Sequence, residues 1–153
     1  MNINKKDYED KFDNFLMVMD AQLEALSEQA TKRNITFDYT LSDLERLEEL
    51  FALMTKSADK EMVNDLIVTF ARHLGEVVRL NIGGKWHLPL DDKKNVNYNT
   101  PVIIGHSIKG LEFAPISVMR SFALRRKPGT LRRAVEAQID IKPLDLSDLV
   151  EGK

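Results

Sequence analysis

Residues 76–89, which read EVVRLNIGGKWHLP, contain the change in sequence pattern that best indicates the fold. An apolar run with the three-and-four spacing of a helix ends here, two glycines follow, and a strand-like alternation of apolar and polar residues begins. Gly83 and Gly84 can adopt the positive φ values that end a helix and reverse the chain. The stretch therefore predicts a junction between a long helix and a strand anchored by Trp86, the only tryptophan.

The two glycines also invite comparison with a phosphate-binding loop. A P-loop requires Gly-x-x-x-x-Gly-Lys, then Ser or Thr, at the start of a helix. Here Arg79 occupies the position of the first glycine, Trp86 follows Lys85, and the next element is a predicted strand. The Gly-x-Gly-x-x-Gly pattern of dinucleotide-binding proteins does not occur either. We therefore expect no nucleotide and no other cofactor at this junction.

Before the junction, apolar periodicity predicts three helices, at 4–33, 42–56 and 59–81. Ser42 and Glu45 match a capping box for the second helix, and Asp59 can cap the third. Gly75 lies inside the third helix, where the missing side chain would let another helix approach closely. The first helix is expected to stop at Asn34.

After the junction, the pattern predicts a small antiparallel sheet and two more helices. The strands are expected at 85–90 and 101–105, and the helices at 115–126 and 130–139, with Pro115 at a helix start and Thr130 as a cap. The chain is thus predicted to be an α+β protein, mainly helical. The length favours a single domain, 1–153, with 140–153 as an extended C-terminal tail.

Composition narrows the possible functions. The chain has no cysteine, which excludes disulfides, thiolate metal sites and cysteine nucleophiles. Its N-terminal residues are polar and charged, unlike a secretory signal, and no apolar run is long enough to cross a membrane. These features predict a cytoplasmic protein with no membrane partner.

Charge is unevenly distributed. Residues 1–60 carry 8 basic and 13 acidic side chains, whereas residues 61–139 carry 12 basic and 7 acidic ones. Between Glu112 and Glu136 there is no acidic residue, and arginines are concentrated there. This basic segment can be a solvated face, pair with the acidic helices of the same fold, or contact a partner. The predicted partner-binding residues are Arg120, Arg125, Arg126, Arg132, Arg133, Glu45, Glu48 and Glu49.

The three histidines give little support to catalysis. His73 and Glu76 are three residues apart on a predicted helix and therefore share a face, but no second histidine completes a zinc motif. His106 and Ser107 follow a glycine at a strand end, without the Gly-x-Ser-x-Gly elbow of a serine hydrolase. We expect no metal, no catalytic residue and no enzymatic activity.

One segment carries a resemblance. The residues Gly75, Glu76, Val77, Val78, Arg79, Gly83, Gly84 and Trp86 form a pattern that resembles a segment of small bacterial proteins, some of which look like immunity proteins of toxin systems. The resemblance implies a protein-binding module that neutralises a toxin. The alternative from the residues is a nucleic-acid-binding protein that uses the arginine-rich C-terminal helices.

Overall fold

The computed structural model describes residues 4–108 and 110–139. These residues form, in order, α1 (Lys5–Met17), α2 (Met19–Thr31), α3 (Asp43–Met54), α4 (Lys60–Asn81), β1 (Lys85–His87), β2 (Val102–Ile104), α5 (Pro115–Arg125) and α6 (Thr130–Ile139). The predicted class, mainly helical with a two-stranded antiparallel sheet, is confirmed. The predicted tail at 140–153 lies outside the described residues.

The first predicted helix is two helices. Val18 has φ −89° and ψ 4°, outside helical geometry, and separates α1 from α2. The amide of Val18 still donates to the Asn14 carbonyl at 3.1 Å, and that of Gln22 donates to the Val18 carbonyl at 3.0 Å, so the chain bends without unwinding. The sequence gives no glycine or proline at this point, which is why periodicity alone merged the two helices.

Helix α4 runs through the centre of the fold and packs against α2, α3 and α5. Phe70 of α4 lies edge-on to Phe51 of α3, with ring centroids 5.1 Å apart, and Phe51 in turn lies 6.0 Å from Phe122 of α5. All three rings are buried. Edge-to-face packing of this kind adds about 0.5–1.5 kcal/mol per pair to the energy of burial. The aromatic contacts therefore join three helices into one core.

The junction after α4 has the predicted form. Gly83 and Gly84 have φ values of 118° and 102°, which residues with a side chain rarely adopt. Strand β1 then pairs with β2, with Trp86 opposite Ile103. The strands are shorter than predicted, and Pro89 lacks the amide proton that continued pairing would use. Ile103 also exchanges backbone hydrogen bonds with Phe113, a bridge that the sequence did not reveal.

Gly75 makes room for an indole ring. A side-chain carbon at Gly75 would overlap the outer ring atoms of Trp86 and lie 3.3 Å from Pro115 Cγ. The expectation that Gly75 admits another helix was therefore incomplete, because the main neighbour is Trp86. The tryptophan is half-buried and also packs edge-on to Phe15 at 5.1 Å. Trp86 thus ties α1 and the sheet to α4.

Helix starts follow the predictions at Asp59 and Pro115 but not at Ser42, and the Thr130 hydroxyl, predicted to cap α6, donates to the Lys127 carbonyl. Asp59 accepts a hydrogen bond from the amide of Met62 at 2.8 Å, and Pro115 occupies the first position of α5. Ser42, by contrast, makes no capping hydrogen bond. Its φ of −63° and ψ of −20° are already helical, whereas a capping side chain needs an extended backbone. The capping box predicted for α3 is therefore wrong.

Candidate functional site

The acidic face of α3 meets the arginine-rich segment inside this molecule. Arg132 Nε donates to Glu45 Oε2 at 2.7 Å, and Arg132 Nη2 donates to Glu45 Oε1 at 2.9 Å. The two-pronged contact lowers the pKa of the Glu45 carboxyl, chiefly through these hydrogen bonds. Two residues predicted to contact a partner therefore contact each other.

Glu48 is also satisfied within the fold. Its side chain is buried, and its two oxygens accept hydrogen bonds from the amides of Gly129 and Leu131, each at 2.9 Å. A carboxylate of α3 thus binds the free amides at the start of α6, where the helix dipole favours negative charge. Thr130, the predicted cap, instead donates its hydroxyl to the Lys127 carbonyl at 2.6 Å. Glu48 is a structural residue of the α3–α6 contact.

Arg126 ends α5 and is committed to neighbouring groups. Its backbone has a φ of 54°, in the left-handed region. Its guanidinium donates to the Thr55 hydroxyl and the Ala123 carbonyl, both at 2.9 Å, and its central carbon lies 5.0 Å from the centre of the Phe51 ring. The cation is thereby held against α3 by hydrogen bonds and by the face of an aromatic ring.

The other three arginines of the prediction are exposed. The side chains of Arg120 and Arg125 make no hydrogen bond or ion pair within residues 4–108 and 110–139. The Arg133 guanidinium has one hydrogen bond within the same described residues, to the Pro128 carbonyl at 3.4 Å. The predicted basic patch is therefore divided, since part of it pairs inside the fold and part of it faces outward.

A groove runs along the outer side of this contact. Its volume is about 540 Å³, which is within the range of ligand and peptide sites. We call it the α3–α5 groove, and its lining residues are Glu45, Glu48, Glu49, Ala52, Phe122, Arg126 and Pro128. Four of the eight residues predicted to bind a partner thus surround one concavity.

The floor and the rim of the α3–α5 groove differ in chemistry. The floor is apolar and consists of Ala52, Phe122 and Pro128. Glu49 is exposed and, among the described residues, has no hydrogen bond or ion pair, unlike the other charged side chains that line the groove. The groove therefore offers an apolar surface beside one unpaired negative charge.

A buried pair that the sequence did not reveal lies on the far side of α3. His73 Nε2 is 2.8 Å from Asp43 Oδ2, and both side chains are almost fully buried. Asp43 also accepts from Arg46 Nη1 at 2.9 Å and from the amide of Tyr39 at 2.8 Å. Burial alone would raise the pKa of Asp43, but the hydrogen bonds from His73, Arg46 and the backbone outweigh it and lower the pKa.

His73 and Glu76, which share a face of α4, bind different partners. Glu76 accepts from Trp86 Nε1 at 2.8 Å and from Arg79 at 2.9 and 3.0 Å. Burial raises the pKa of Glu76, yet the hydrogen bonds from Arg79 and Trp86 bring it below the ordinary value. Because Asp43 and His73 are 30 residues apart, no spacing rule could have paired them.

The remaining histidines are not arranged for metal binding. His106 is buried, with Nε2 at 2.5 Å from the Gln138 side-chain oxygen. Within residues 4–108 and 110–139, no three histidine, aspartate or glutamate side chains are grouped so that they could hold a metal ion. Over the same residues, no helix combines the length and the apolar character that a bilayer crossing requires.

Comparisons with family models, with curated proteins and with solved structures yield no match. The resemblance to immunity proteins therefore stays a prediction.

Proposed function

We propose that this protein is a non-enzymatic module of the cytoplasm that binds another protein through the α3–α5 groove. The observation that carries the proposal is an apolar floor, at Ala52, Phe122 and Pro128, with an exposed Glu49 at its edge that has no partner in the part of the chain that the structure describes. Protein interfaces typically have an apolar centre that gives most of the affinity and a polar rim that gives specificity. The groove has both parts.

The internal pairing of Glu45 with Arg132 supports the same proposal. This contact holds α6 against α3, and Glu48 binds the start of α6 from the same helix. Glu48 also accepts from the amide of Gly129, next to Pro128, so the Pro128 side of the groove is held in place before a partner binds, and preorganisation reduces the entropy cost of binding.

The more specific form of the proposal is a toxin-neutralising immunity protein. It is supported by the segment resemblance between Gly75 and Trp86 and by the uneven charge of the two halves of the chain. In this form the partner is the catalytic domain of a toxin encoded beside the gene for this protein, and the groove blocks or distorts that domain.

The decisive experiment places a charge on the floor of the groove. Ala52→Arg adds a long cationic side chain at an exposed position of α3, and Ala21→Arg makes the same change at an exposed position of α2 outside the groove. Binding to the purified toxin domain is measured by calorimetry, and protection is measured by growth of cells that express the toxin. We expect Ala52→Arg to weaken binding by about tenfold or more and to abolish protection.

The control must behave differently. Ala21→Arg is expected to bind and protect as the unchanged protein does. If both variants bind the toxin domain equally well, the groove is not the binding site. If the unchanged protein neither binds nor protects, the immunity form of the proposal fails.

Nucleic-acid binding has less support. Arg132 is paired with Glu45 and Arg126 is held against Phe51, so these two cations are not free to contact phosphates. A nucleic-acid-binding protein would bind duplex DNA or RNA tightly at low salt and lose affinity steeply as salt rises. We expect no shift of either duplex in a gel at low salt, and a salt-sensitive shift that Arg120→Ala and Arg125→Ala weaken would favour this alternative.

A further inference from the structure

The charges that surround the α3–α5 groove are not all available to a partner. Glu45 is neutralised by Arg132, and Glu48 is occupied by the amides of Gly129 and Leu131. Arg126 is bound to Thr55 and stacked on Phe51. Glu48 and Arg126 keep their charges, because their partners are neutral, but these two charges are opposite and offset each other, so the three side chains together add little net attraction for a charged group that enters the groove.

With Glu45 offset by Arg132 and Glu48 offset by Arg126, the net charge of the lining is that of Glu49. Glu49 is exposed, it lies one turn of α3 from Glu45 and Ala52, and it is unpaired within the described residues. Arg125 and Lys127 are also exposed, but neither lines the groove. The unbalanced charge at the apolar floor is therefore negative.

We propose that the α3–α5 groove selects a protein segment in which a large apolar side chain lies beside a lysine or an arginine. The apolar side chain packs on Phe122, Ala52 and Pro128, and the cation pairs with Glu49. This inference rests on the proposed function, because it names the chemistry of the segment that the groove receives. An acidic segment would place like charge against Glu49 and is disfavoured.

Charge complementarity at such a rim acts mainly on specificity. An exposed ion pair contributes little to affinity, whereas removal of the apolar anchor costs much more. The two parts of the recognition can therefore be tested separately. Changes at Glu49 alter which segments bind, and changes at Ala52 alter whether any segment binds.

The experiment uses a phage-displayed library of random 16-residue peptides, selected on the full-length protein. We expect enriched peptides to contain a large apolar residue next to lysine or arginine. Selection on Glu49→Lys is expected to enrich acidic residues in place of the basic ones. Glu24→Lys, at an exposed position of α2 outside the groove, makes the same change in net charge and is expected to enrich the same peptides as the unchanged protein.

A charge swap makes the test quantitative. One enriched peptide is synthesised with its basic residue and with glutamate in that position, and both are titrated against the three proteins. Relative to the unchanged protein, Glu49→Lys should bind the basic peptide about fivefold more weakly and the acidic peptide more tightly. Glu24→Lys should bind both peptides with affinities within about twofold of those of the unchanged protein. Circular dichroism verifies that each variant is folded.

Several results would overturn the inference. These are enrichment of acidic peptides by the unchanged protein, no enrichment at all, or equal effects of Glu49→Lys and Glu24→Lys. The inference can also fail while the proposed function stands. In that case Ala52→Arg abolishes binding of the toxin domain, whereas Glu49→Lys and Glu24→Lys change its affinity equally.

Discussion

Gly75 has a role that depends on a single missing carbon atom. Its position in the middle of α4 is unfavourable for the helix, since glycine costs up to about 1 kcal/mol there relative to alanine. The indole of Trp86 occupies the space that a side chain would fill. The cost to the helix is thus offset by the packing of Trp86 on α4.

We predict that Gly75→Ala destabilises the protein by about 1–2 kcal/mol, despite the better helix propensity of alanine. The added methyl group would displace the Trp86 ring. The measurement is urea unfolding monitored by far-ultraviolet circular dichroism, because the comparison below also uses a variant without Trp86, the only tryptophan. In the Trp86→Phe background, where the ring is smaller, the same change should cost less; an equal cost in both backgrounds would contradict the explanation.

Asp43 lies at the centre of the buried polar contacts between α3 and α4. Its removal would leave His73 Nε2 and the amide of Tyr39 without their acceptor, and Arg46 would keep only its bond to Asp38. We predict that Asp43→Ala lowers the free energy of unfolding by about 3–5 kcal/mol, because breaking a buried pair leaves its partners desolvated and unpaired. Chemical denaturation measures the loss. Asp65→Ala, at an exposed position of α4, should change stability by less than about 0.5 kcal/mol.

At the scale of elements, α6 depends on a residue of another helix. Its first amides are bound by Glu48 of α3, and Arg132 then bonds Glu45 on the same helix. The sequence predicted the bounds of α6 correctly from its apolar periodicity. It did not predict the cap, because the residue that binds those amides lies more than 80 residues away.

We predict that Glu48→Gln lowers stability by about 1–3 kcal/mol, since the amide side chain has one acceptor oxygen where the carboxylate has two. The loss should be concentrated in α6, where hydrogen exchange of backbone amides should become faster than in α4. Glu49→Gln is the matched control, because Glu49 is adjacent and unpaired among the described residues. If Glu49→Gln is equally destabilising, Glu48 does not have the role assigned to it.

At the scale of the whole molecule, stability depends on carboxylates that are held ionised in the fold. Hydrogen bonds lower the pKa of Asp43, Glu45 and Glu76, and those from Thr40 lower the pKa of Asp38 to about 2. A carboxyl whose pKa is lower in the folded state binds fewer protons there than in the unfolded chain. Its contribution is complete above the ordinary carboxyl pKa of about 4 and is lost as the pH falls through the folded value.

We therefore predict that the urea midpoint is nearly constant from pH 7 to about pH 5 and falls progressively from about pH 4 to pH 2. Asp43→Asn removes one of these carboxyls. That variant should be less stable at pH 7, and its stability should depend less steeply on acid. A midpoint that does not change between pH 6 and pH 2 would contradict the assigned pKa directions.

Local sequence was sufficient for most of the fold. The helical periodicity of α3 to α6, the two glycines after α4 and Pro115 at the start of α5 act over a few residues, so they can be read in a single chain. The division at Val18 and the Ser42 cap were not predicted correctly. Both depend on backbone angles that local side chains do not specify, and on how α1 and α3 pack against the rest of the molecule.

The class of the fold, the helix-to-strand junction at Gly83 and Gly84, the acidic helix and the arginine-rich segment all follow from local sequence patterns. Which of these charges neutralise one another depends on the packing of the helices. Periodicity reports which face of a helix is buried, but hydrogen bonds between distant residues depend on which faces meet. The pairing of Glu45 with Arg132, and the lack of a partner for Glu49 among the residues that the structure describes, therefore follow from how α3, α5 and α6 pack together.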